Sequence, residues 1–338
     1  MSDQTFRFVF GPVLSGRLGR SLGLDLLGAR ICSMNCVYCE SGPLERLTVE
    51  RAPYVPAAVL LEELTRWEAM RVVAGQPLPD VVTLGGMGEP TLNSDMPRII
   101  AGARAILPGV PVAVLTNASL MTDPVVRAEL LAVDIVLPNM DSLLPGEFAA
   151  VNRPHPSVLP VAVAEGIRAF RTEFSGRVWL EVLLVAGVND SPENLALLEI
   201  YCRALAPHRV DVVTLSRPGT EDSARAVDAG TLKLWRERLS RHCVEWGGNI
   251  AQALASFCEN RQEPEGDTDS VNSDPAQARS AILASLSRRP QTAGQLAQAL
   301  LVSEQSVHEA LSTLLAQGAI AAATQDGATY FKVRAPRL

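Results

Sequence analysis

The 338-residue chain has few of the features that build disulfide-linked, membrane-spanning or secreted proteins. Its six cysteines are too few for a disulfide scaffold of this length, so a cluster of them would indicate metal binding or catalysis. No run of about twenty apolar residues is free of charge, and we expect no transmembrane helix. The first residues lack the basic and apolar regions of a signal peptide. We therefore expect a cytoplasmic protein with no membrane partner.

Lysine is scarce, since Lys233 and Lys332 are the only lysines among the 30 basic residues. Arginine cannot form a Schiff base at neutral pH, so chemistry through an amine nucleophile has few candidate residues. The formal net charge of −7 argues against nucleic-acid binding by overall attraction. Local basic patches can still bind phosphates.

Short apolar or β-branched runs alternate with longer amphipathic segments over residues 1–260. The predicted strands are 24–29, 81–84, 112–115, 135–137, 179–185 and 210–215. The predicted helices are 55–73, 160–170 and 192–205, and the last two each have proline at the first helical position. Strand, helix and strand at this spacing indicate parallel βαβ units. The sequence predicts an α/β fold with a partial (β/α)6 barrel, and a doubly wound sheet is the alternative.

A polar, acidic segment, RQEPEGDTDSVNSDP (261–275), follows the alternating pattern and has the composition of a flexible linker. Residues 276–338 then show apolar periodicity typical of three short helices, with Thr292 and Ser303 as predicted N-caps. Two short strands flank Asp326-Gly327, which is a hairpin signal. Three helices and a hairpin predict a small winged-helix-like domain.

Cys32, Cys36 and Cys39 form a CxxxCxxC pattern directly after the first predicted strand. Three thiolates at this spacing can wrap one loop around an iron–sulfur cube, which normally takes four cysteine ligands. A triplet therefore leaves one iron open to a substrate or cosubstrate. The alternatives are a zinc site or buried free cysteines, but no histidine or further cysteine follows Cys39 closely enough to complete a zinc site.

This pattern after the first strand of a (β/α) barrel resembles the signature of the radical S-adenosylmethionine (SAM) superfamily. The resemblance implies one [4Fe–4S] cluster held by Cys32, Cys36 and Cys39, with SAM chelating the open iron. It also implies that an electron donor such as flavodoxin or ferredoxin drives reductive cleavage of SAM. The 5′-deoxyadenosyl radical then released abstracts a hydrogen atom from the substrate.

The resemblance also implies which residues bind SAM. GGMGEP (85–90) follows the second predicted strand and resembles the superfamily's GGE-type motif, in which the backbone and Glu89 bind the SAM amino group. Tyr38 occupies the position that packs near adenine, and the later strand ends correspond to contacts with ribose, carboxylate and adenine. The candidate SAM contacts are Tyr38, Gly85, Gly86, Gly88, Glu89, Asn117, Ser119, Asn139, Asp141, Glu181 and Leu215.

Four further segments resemble the group related to the tRNA wyosine-base (imidazoG37) synthetases. They are FGPVLSGRLGRSLG (10–23), GEPTLN (88–93), NRPHP (152–156) and LVAGVND (184–190). Two features differ from that group. No cysteine precedes Cys32 to hold a second cluster, and no lysine precedes Lys233 to capture pyruvate. We therefore predict a shared scaffold and a product other than the wyosine tricycle.

The substrate is predicted only by class. RNA or nucleotide modification is favoured by the resemblance and by arginines in 11–23 and 152–156, and the candidate substrate residues are Arg17, Arg20, Asn152 and Arg153. A peptide or protein docked by the winged helix is the alternative. A DNA-binding iron–sulfur regulator is a weaker hypothesis, because the predicted recognition helix, 304–317, contains no arginine or lysine.

The remaining cysteines, Cys202, Cys243 and Cys258, match no compact ligand loop. One interpretation is that they hold an auxiliary cluster, with His242 as a further ligand. Cysteine commonly behaves as a small buried apolar residue, which is the interpretation we favour. The sequence therefore predicts a single cluster.

Overall fold

The computed structural model describes residues 6–217, 219–221, 223–244, 275–287, 290–300, 302–325 and 327–334. The strands are β1 (Val9–Ser15), β2 (Gly19–Asp25), β3 (Ile31–Cys32), β4 (Arg46–Leu47), β5 (Val81–Gly85), β6 (Val112–Thr116), β7 (Ile135–Pro138), β8 (Arg177–Leu184), β9 (Arg209–Thr214), β10 (Ile320–Gln325) and β11 (Ala328–Val333). The helices are α1 (Ala57–Val73), α2 (Met96–Ile106), α3 (Pro124–Leu130), α4 (Pro145–Asn152), α5 (Pro160–Glu173), α6 (Pro192–Leu205), α7 (Ala229–Ser240), α8 (Pro275–Leu286), α9 (Ala293–Leu300) and α10 (Glu304–Ala316). None of these helices is long and apolar enough to cross a membrane.

Seven strands form one sheet in the order β1-β2-β5-β6-β7-β8-β9. Neighbours from β2 to β9 run parallel, whereas β1 runs antiparallel to β2. A doubly wound sheet reverses its strand order at a switch point, and this sheet keeps the order of the chain throughout. The predicted α/β fold with six parallel strands of a partial barrel is therefore confirmed.

The prediction for the first strand was wrong in its position. The strand over 24–29 is observed as β2, which ends at Asp25. Residues 11–23 lie mostly in β1 and β2, which form an antiparallel hairpin. Glycines at several positions of FGPVLSGRLGRSLG hide the strand pattern, because glycine is depleted in strands. The Asp25 carboxylate accepts bonds from the Leu27 and Gly28 amides and turns the chain out of the sheet.

Helices bury apolar stripes against the sheet. Leu60 and Leu64 of α1 join the same buried cluster as Leu22 and Leu24 of β2, and each such leucine stabilises the fold by about 1.5–3 kcal/mol. Helix α6 has the predicted bounds, and the Ser191 hydroxyl caps it by accepting a bond from the Asn194 amide. The other predicted helices are also observed, with ends shifted by two or three residues.

A separate apolar layer lies on the face of the sheet away from α1. It consists of Leu18, Val81, Ala113, Ile135, Leu137 and Trp179, with Leu115 packed against it. Several of these residues lie at the amino ends of their strands, so side chains fill that end of the half-barrel. The carboxyl ends of the strands, where ligands bind in parallel α/β folds, remain available for a site.

Helices α8, α9 and α10 and the β10–β11 hairpin form what we name the C-terminal module, residues 275–334. The module has its own buried cluster, which includes Ile282, Leu296 and Leu311. Thr292 and Gln295 bond reciprocally at the start of α9, and the Ser303 hydroxyl caps α10. The predicted linker, 261–275, lies outside the described residues except for Pro275.

Candidate active site

The cysteine loop, residues 32–39, begins on the short strand β3 and carries three free thiols. Burial raises the pKa of Cys32 to about 12, with Glu89 as the second cause. Burial also raises the pKa of Cys36 well above its usual value, followed by the charge of Asp141. Each of these two thiols also interacts electrostatically with Cys39. The three thiols therefore lie on one short loop, within electrostatic range of one another.

The NRPHP segment holds the cysteine loop through its backbone. The Asn35 amide donates to the Asn152 carbonyl at 3.0 Å, and the His155 amide donates to the Ser33 carbonyl at 2.8 Å. Arg153 ends α4 in the left-handed conformation, with φ of 43°, and so turns the chain along the loop. This segment therefore supports the loop, a role that its sequence did not suggest.

Two asparagine side-chain amides each donate to one of the sulfur atoms. Asn117 Nδ2 lies 3.4 Å from Cys32 Sγ, and Asn152 Nδ2 lies 3.4 Å from Cys36 Sγ. Asn117 was predicted to contact SAM and Asn152 to contact substrate. In the structure each side chain donates to a thiol sulfur, and hydrogen bonds to sulfur are one means by which proteins tune iron–sulfur clusters. The contacts with SAM and substrate stay predictions.

The glycine-rich turn after β5 packs directly against the start of the cysteine loop. A Cβ atom on Gly88 would lie 1.8 Å from the Ile31 carbonyl oxygen, so only glycine fits there. Gly86 has φ of +124° and passes close to the Asp25 carboxylate. The Glu89 amide donates to the same Ile31 carbonyl at 3.1 Å. The motif thus fixes the position of β3.

The Glu89 carboxylate is buried and links the ends of β5 and β6. Its Oε1 atom accepts bonds from the Thr91 amide, the Thr91 hydroxyl and the Thr116 hydroxyl. Its Oε2 atom accepts one bond, from the Asn117 amide at 2.7 Å. Burial raises the pKa of Glu89, and these donors oppose that shift. The three donors saturate Oε1, whereas Oε2 accepts a single bond and so keeps capacity for a ligand.

The Asp141 carboxylate is a second buried hub, at the end of β7. It accepts bonds from the Tyr38 hydroxyl at 2.5 Å, from Asn152 Nδ2 at 2.7 Å and from the Leu183 amide at 2.8 Å. Burial raises its pKa, and it raises the pKa of Tyr38 in turn, after burial as the first cause. Asp141 therefore joins the cysteine loop, α4 and β8 at one point.

The remaining candidate SAM contacts fall into two groups. Ser119 Oγ lies 2.6 Å from Ser33 Oγ, beside Asn117. Asn139 Nδ2 donates to Glu181 Oε1 at 3.0 Å, and Glu181 also pairs with Arg17. The first group contacts the cysteine loop, while the second joins the residue after β7 to β8 and to the β1–β2 turn. Leu215 is buried in the cluster that includes Val37.

A cavity of about 960 Å³ adjoins the cysteine loop. The predicted SAM contacts that line it are Tyr38, Gly85, Gly86, Glu181 and Leu215, together with Cys39. Small-molecule sites span about 300–1,000 Å³, so this cavity has room for a cosubstrate and a group of the substrate. Its charged lining residues are paired, as Arg17 with Glu181 and as Arg217 with Glu40.

The predicted substrate residues do not converge. Arg17 lines the cavity in its ion pair with Glu181, and Asn152 is buried against the cysteine loop. Arg153 is exposed and pairs with Glu221 at 2.6 Å. Arg20 lies at the amino end of β2, where its guanidinium donates to the Pro77 carbonyl at 3.3 Å. That position is at the opposite end of the sheet from the cysteine loop.

Several residues that hold the site together were not predicted from the sequence. Thr91 and Thr116 hold Glu89, and the amides of Asn189 and Asn194 donate to the Asp141 carbonyl oxygen. Asn189 belongs to LVAGVND, so the motif carried a signal without showing its role. Thr91 likewise belongs to GEPTLN, whereas Thr116 has no such signal, because threonine is common in buried strands.

The donor set suits a four-iron cluster. Within the described ranges, no three His, Cys, Asp or Glu side chains are grouped to hold a single metal ion. A four-iron cluster instead binds each thiolate to a different iron and accepts hydrogen bonds at its sulfur atoms. Three neighbouring thiols with two amide donors fit that requirement.

The other cysteines in the described part of the chain lie elsewhere. Cys202 is fully buried in the main core, and Cys243 is half-buried. Burial raises the pKa of both thiols. Cys258 lies outside the described residues, so the prediction of a single cluster remains a prediction.

Comparison with known proteins shows the family to which the chain belongs. Residues 26–198 match a family model described as the radical SAM superfamily. A UPF0026 protein of Synechocystis sp. is 37% identical over 217 residues, which are 64% of this chain and 77% of that protein. A protein of Brachyspira hyodysenteriae named GTPase Obg is 29% identical over 92% of this chain, which spans only 43% of that protein.

A solved structure shares the fold. The crystal structure of a radical SAM methyltransferase from Sphaerobacter thermophilus superposes with a TM-score of 0.51 and 18% identity. The match covers 67% of this chain and 64% of that chain. At this identity the likeness supports the half-barrel architecture and says nothing of the substrate.

Proposed function

Because the chain belongs to the radical SAM superfamily, we propose that Cys32, Cys36 and Cys39 hold its [4Fe–4S] cluster and that the adjoining cavity binds SAM. The chain is a radical SAM enzyme, and the cofactors of this superfamily are the cluster and SAM. When bound, they supply reductive cleavage of SAM and hydrogen-atom abstraction from a substrate. The observation that carries the assignment is the site shared by the three thiols beside the cavity.

The residues of this chain hold and orient the cofactors. Asn117 and Asn152 donate to two of the thiol sulfurs, and Gly88 lets the glycine-rich turn approach the cysteine loop. Glu89 stays a candidate for the SAM amino group through its Oε2 atom, while its Oε1 atom fixes the strand ends. The remaining candidate SAM contacts keep their proposed roles, and a flavodoxin or ferredoxin is the proposed reductant.

RNA or nucleotide modification remains the proposed substrate class. An uncharged nucleobase suits a cavity whose lining charges are already paired, and enzymes that act on bases commonly extrude them into such pockets. Arg153 is then the best phosphate candidate, because surface ion pairs such as its pair with Glu221 are weak and can exchange partners. A peptide substrate would have to place an uncharged side chain in the same cavity.

Iron content and SAM cleavage test the assignment. The anaerobically reconstituted chain should bind about four irons as one cluster. With dithionite and SAM it should form 5′-deoxyadenosine and methionine. Replacing Cys32, Cys36 and Cys39 by alanine should abolish both. Cys243→Ala, outside the proposed ligand set, should leave the iron content unchanged.

Two results would contradict this assignment. Bound zinc without iron-dependent absorbance would refute the cluster, and about eight irons in the wild type with four in the triple variant would reveal a second cluster. The substrate class has its own test. RNA from a strain lacking the gene should stimulate 5′-deoxyadenosine formation more than the protein fraction does, and the reverse order would favour the peptide class.

A further inference from the structure

The C-terminal module contacts both edges of the half-barrel. Helix α9 packs against β1, one edge strand of the sheet. The Tyr330 hydroxyl donates to the Ser216 carbonyl at 3.0 Å, just after β9, the other edge strand. Arg30 Nη2 donates to the Ser287 carbonyl at 2.6 Å, next to the cysteine loop. The module therefore spans the side that a partial barrel leaves open.

The module also lines the cavity beside the cysteine loop. Its lining residues are Ala281, Ala284, Ser285, Gln291, Ala299 and Leu300. They come from α8, from α9 and from the connection between them. The remaining lining residues come from the half-barrel, including Phe10 of β1 and Val213 of β9. Two parts of the chain that are distant in sequence thus enclose one space.

The wall that the module contributes carries no charge. Four of its lining residues are alanine or leucine, and the other two are neutral and polar. Gln291 Nε2 donates to the carbonyl and to the hydroxyl oxygen of Ser285, at 3.1 and 2.8 Å. Both amide hydrogens are thus engaged, and the side chain can offer a ligand its acceptor oxygen.

We propose that the C-terminal module is a wall of the substrate cavity and binds an uncharged, partly apolar substrate group that carries a hydrogen-bond donor. This inference rests on the proposed function and adds the substrate chemistry of that site. A charged group would be costly here because the lining charges of the half-barrel are already paired.

Alkylation of introduced thiols tests the wall in the full-length, reconstituted protein. Ala281→Cys and Ala299→Cys place a thiol on each of the two lining helices, and Ala316→Cys places one at the exposed end of α10 as a control. With N-ethylmaleimide and peptide mapping, both wall variants should react about tenfold more slowly than the control. Saturating SAM should slow only the wall variants further.

Equal reaction rates at all three positions, with or without SAM, would contradict the proposal that the module forms a wall of the cavity. This outcome is distinguishable from failure of the proposed function, because the labelling order does not depend on SAM cleavage. Failure of the wild type to cleave SAM would refute the function and leave the labelling order intact. Two wall variants are used so that misfolding of one does not decide the result.

Matched probes test the substrate chemistry. In the presence of SAM, guanosine is compared with guanosine 5′-monophosphate, and N-acetyl-leucinamide with N-acetyl-leucine, for protection of the Ala299→Cys variant. In whichever pair binds, the uncharged probe should protect the introduced thiol at a concentration at least about tenfold lower than its charged counterpart requires. Equal or better protection by the charged members, or protection by none of the four, would contradict the proposed class.

Discussion

Two buried carboxylates hold the cysteine loop, Glu89 near Cys32 and Asp141 near Cys36, and they do so differently. Glu89 reaches the loop indirectly, since its Oε2 atom binds the Asn117 amide and the Asn117 side chain then donates to Cys32. Asp141 reaches it directly, because Tyr38 of the loop donates to its carboxylate. The Glu89 carboxylate thus links neighbouring strands, whereas the Asp141 carboxylate joins several distant segments.

The difference follows from the origin of the donors. All four bonds to Glu89 arise from Thr91, two residues along the chain, or from Thr116 and Asn117 at the facing end of β6. The donors to Asp141 come from the cysteine loop, from α4 and from β8. Removing a carboxylate that joins distant segments should lower the free energy of unfolding more, because each segment loses a hydrogen-bond partner. We therefore expect the Asp141 side to be the more sensitive one.

The largest effect should come from Asp141→Ala. The change leaves three buried donors without an acceptor, and each unsatisfied group costs about 1–3 kcal/mol. The free energy of unfolding, from denaturant titration of the cluster-free protein, should fall by about 3 kcal/mol or more. Asp141→Asn, which keeps one acceptor oxygen, should lose less. A loss below that of the Glu89 variant described next would reverse the ranking of the two sides.

A smaller effect is expected for Glu89→Gln. The amide oxygen can still serve the donors that face Oε1, while the new NH₂ group opposes the Asn117 amide. One bond is therefore lost, and the free energy of unfolding should fall by about 1–2 kcal/mol. SAM affinity, measured by equilibrium dialysis of the reconstituted protein, should also weaken if Oε2 binds the amino group. Unchanged affinity would remove Glu89 from the SAM site.

The two asparagines sharpen the comparison at the cluster itself. Asn152→Ala removes a donor to Cys36 and to Asp141, whereas Asn117→Ala removes side-chain donors to Cys32 and Ser33. Both reconstituted variants should release iron to a chelator several-fold faster than the wild type, with Asn152→Ala the faster of the two. Equal release from the variants and the wild type would show that the amides do not stabilise the cluster.

The smallest expected effect is a difference between the rates at which the three thiols of the cluster-free protein are alkylated. Burial and Glu89 raise the pKa of Cys32 to about 12, and burial and Asp141 raise the pKa of Cys36 well above its usual value. Burial also raises the pKa of Cys39, but hydrogen bonds from Ser41 oppose that shift. Since the thiolate is the nucleophile, iodoacetamide should modify Cys39 before Cys32 and Cys36. All three rates should rise with pH above neutrality, and a pH-independent rate would contradict protonated thiols.

The sequence alone determined the parts of this protein that depend on neighbouring residues. The CxxxCxxC spacing placed three thiols on one loop, and the alternation of strands and helices indicated the α/β half-barrel. Caps such as Ser191 and Ser303 were predictable because they bond within three residues. Strand β1 was not predictable, because glycines in the segment 10–23 interrupt the apolar alternation that indicates a strand.

Only the tertiary structure decided which distant groups meet. It paired Arg17 with Glu181, turned Asn152 toward Cys36 and brought the lining residues of α8 and α9 to a cavity of the half-barrel. These contacts join residues far apart in the chain, so no local periodicity encodes them. Buried polar groups must find partners wherever the fold brings them together. The physical reason is that burial and charge pairing belong to the packed molecule, whereas spacing and propensity belong to the chain.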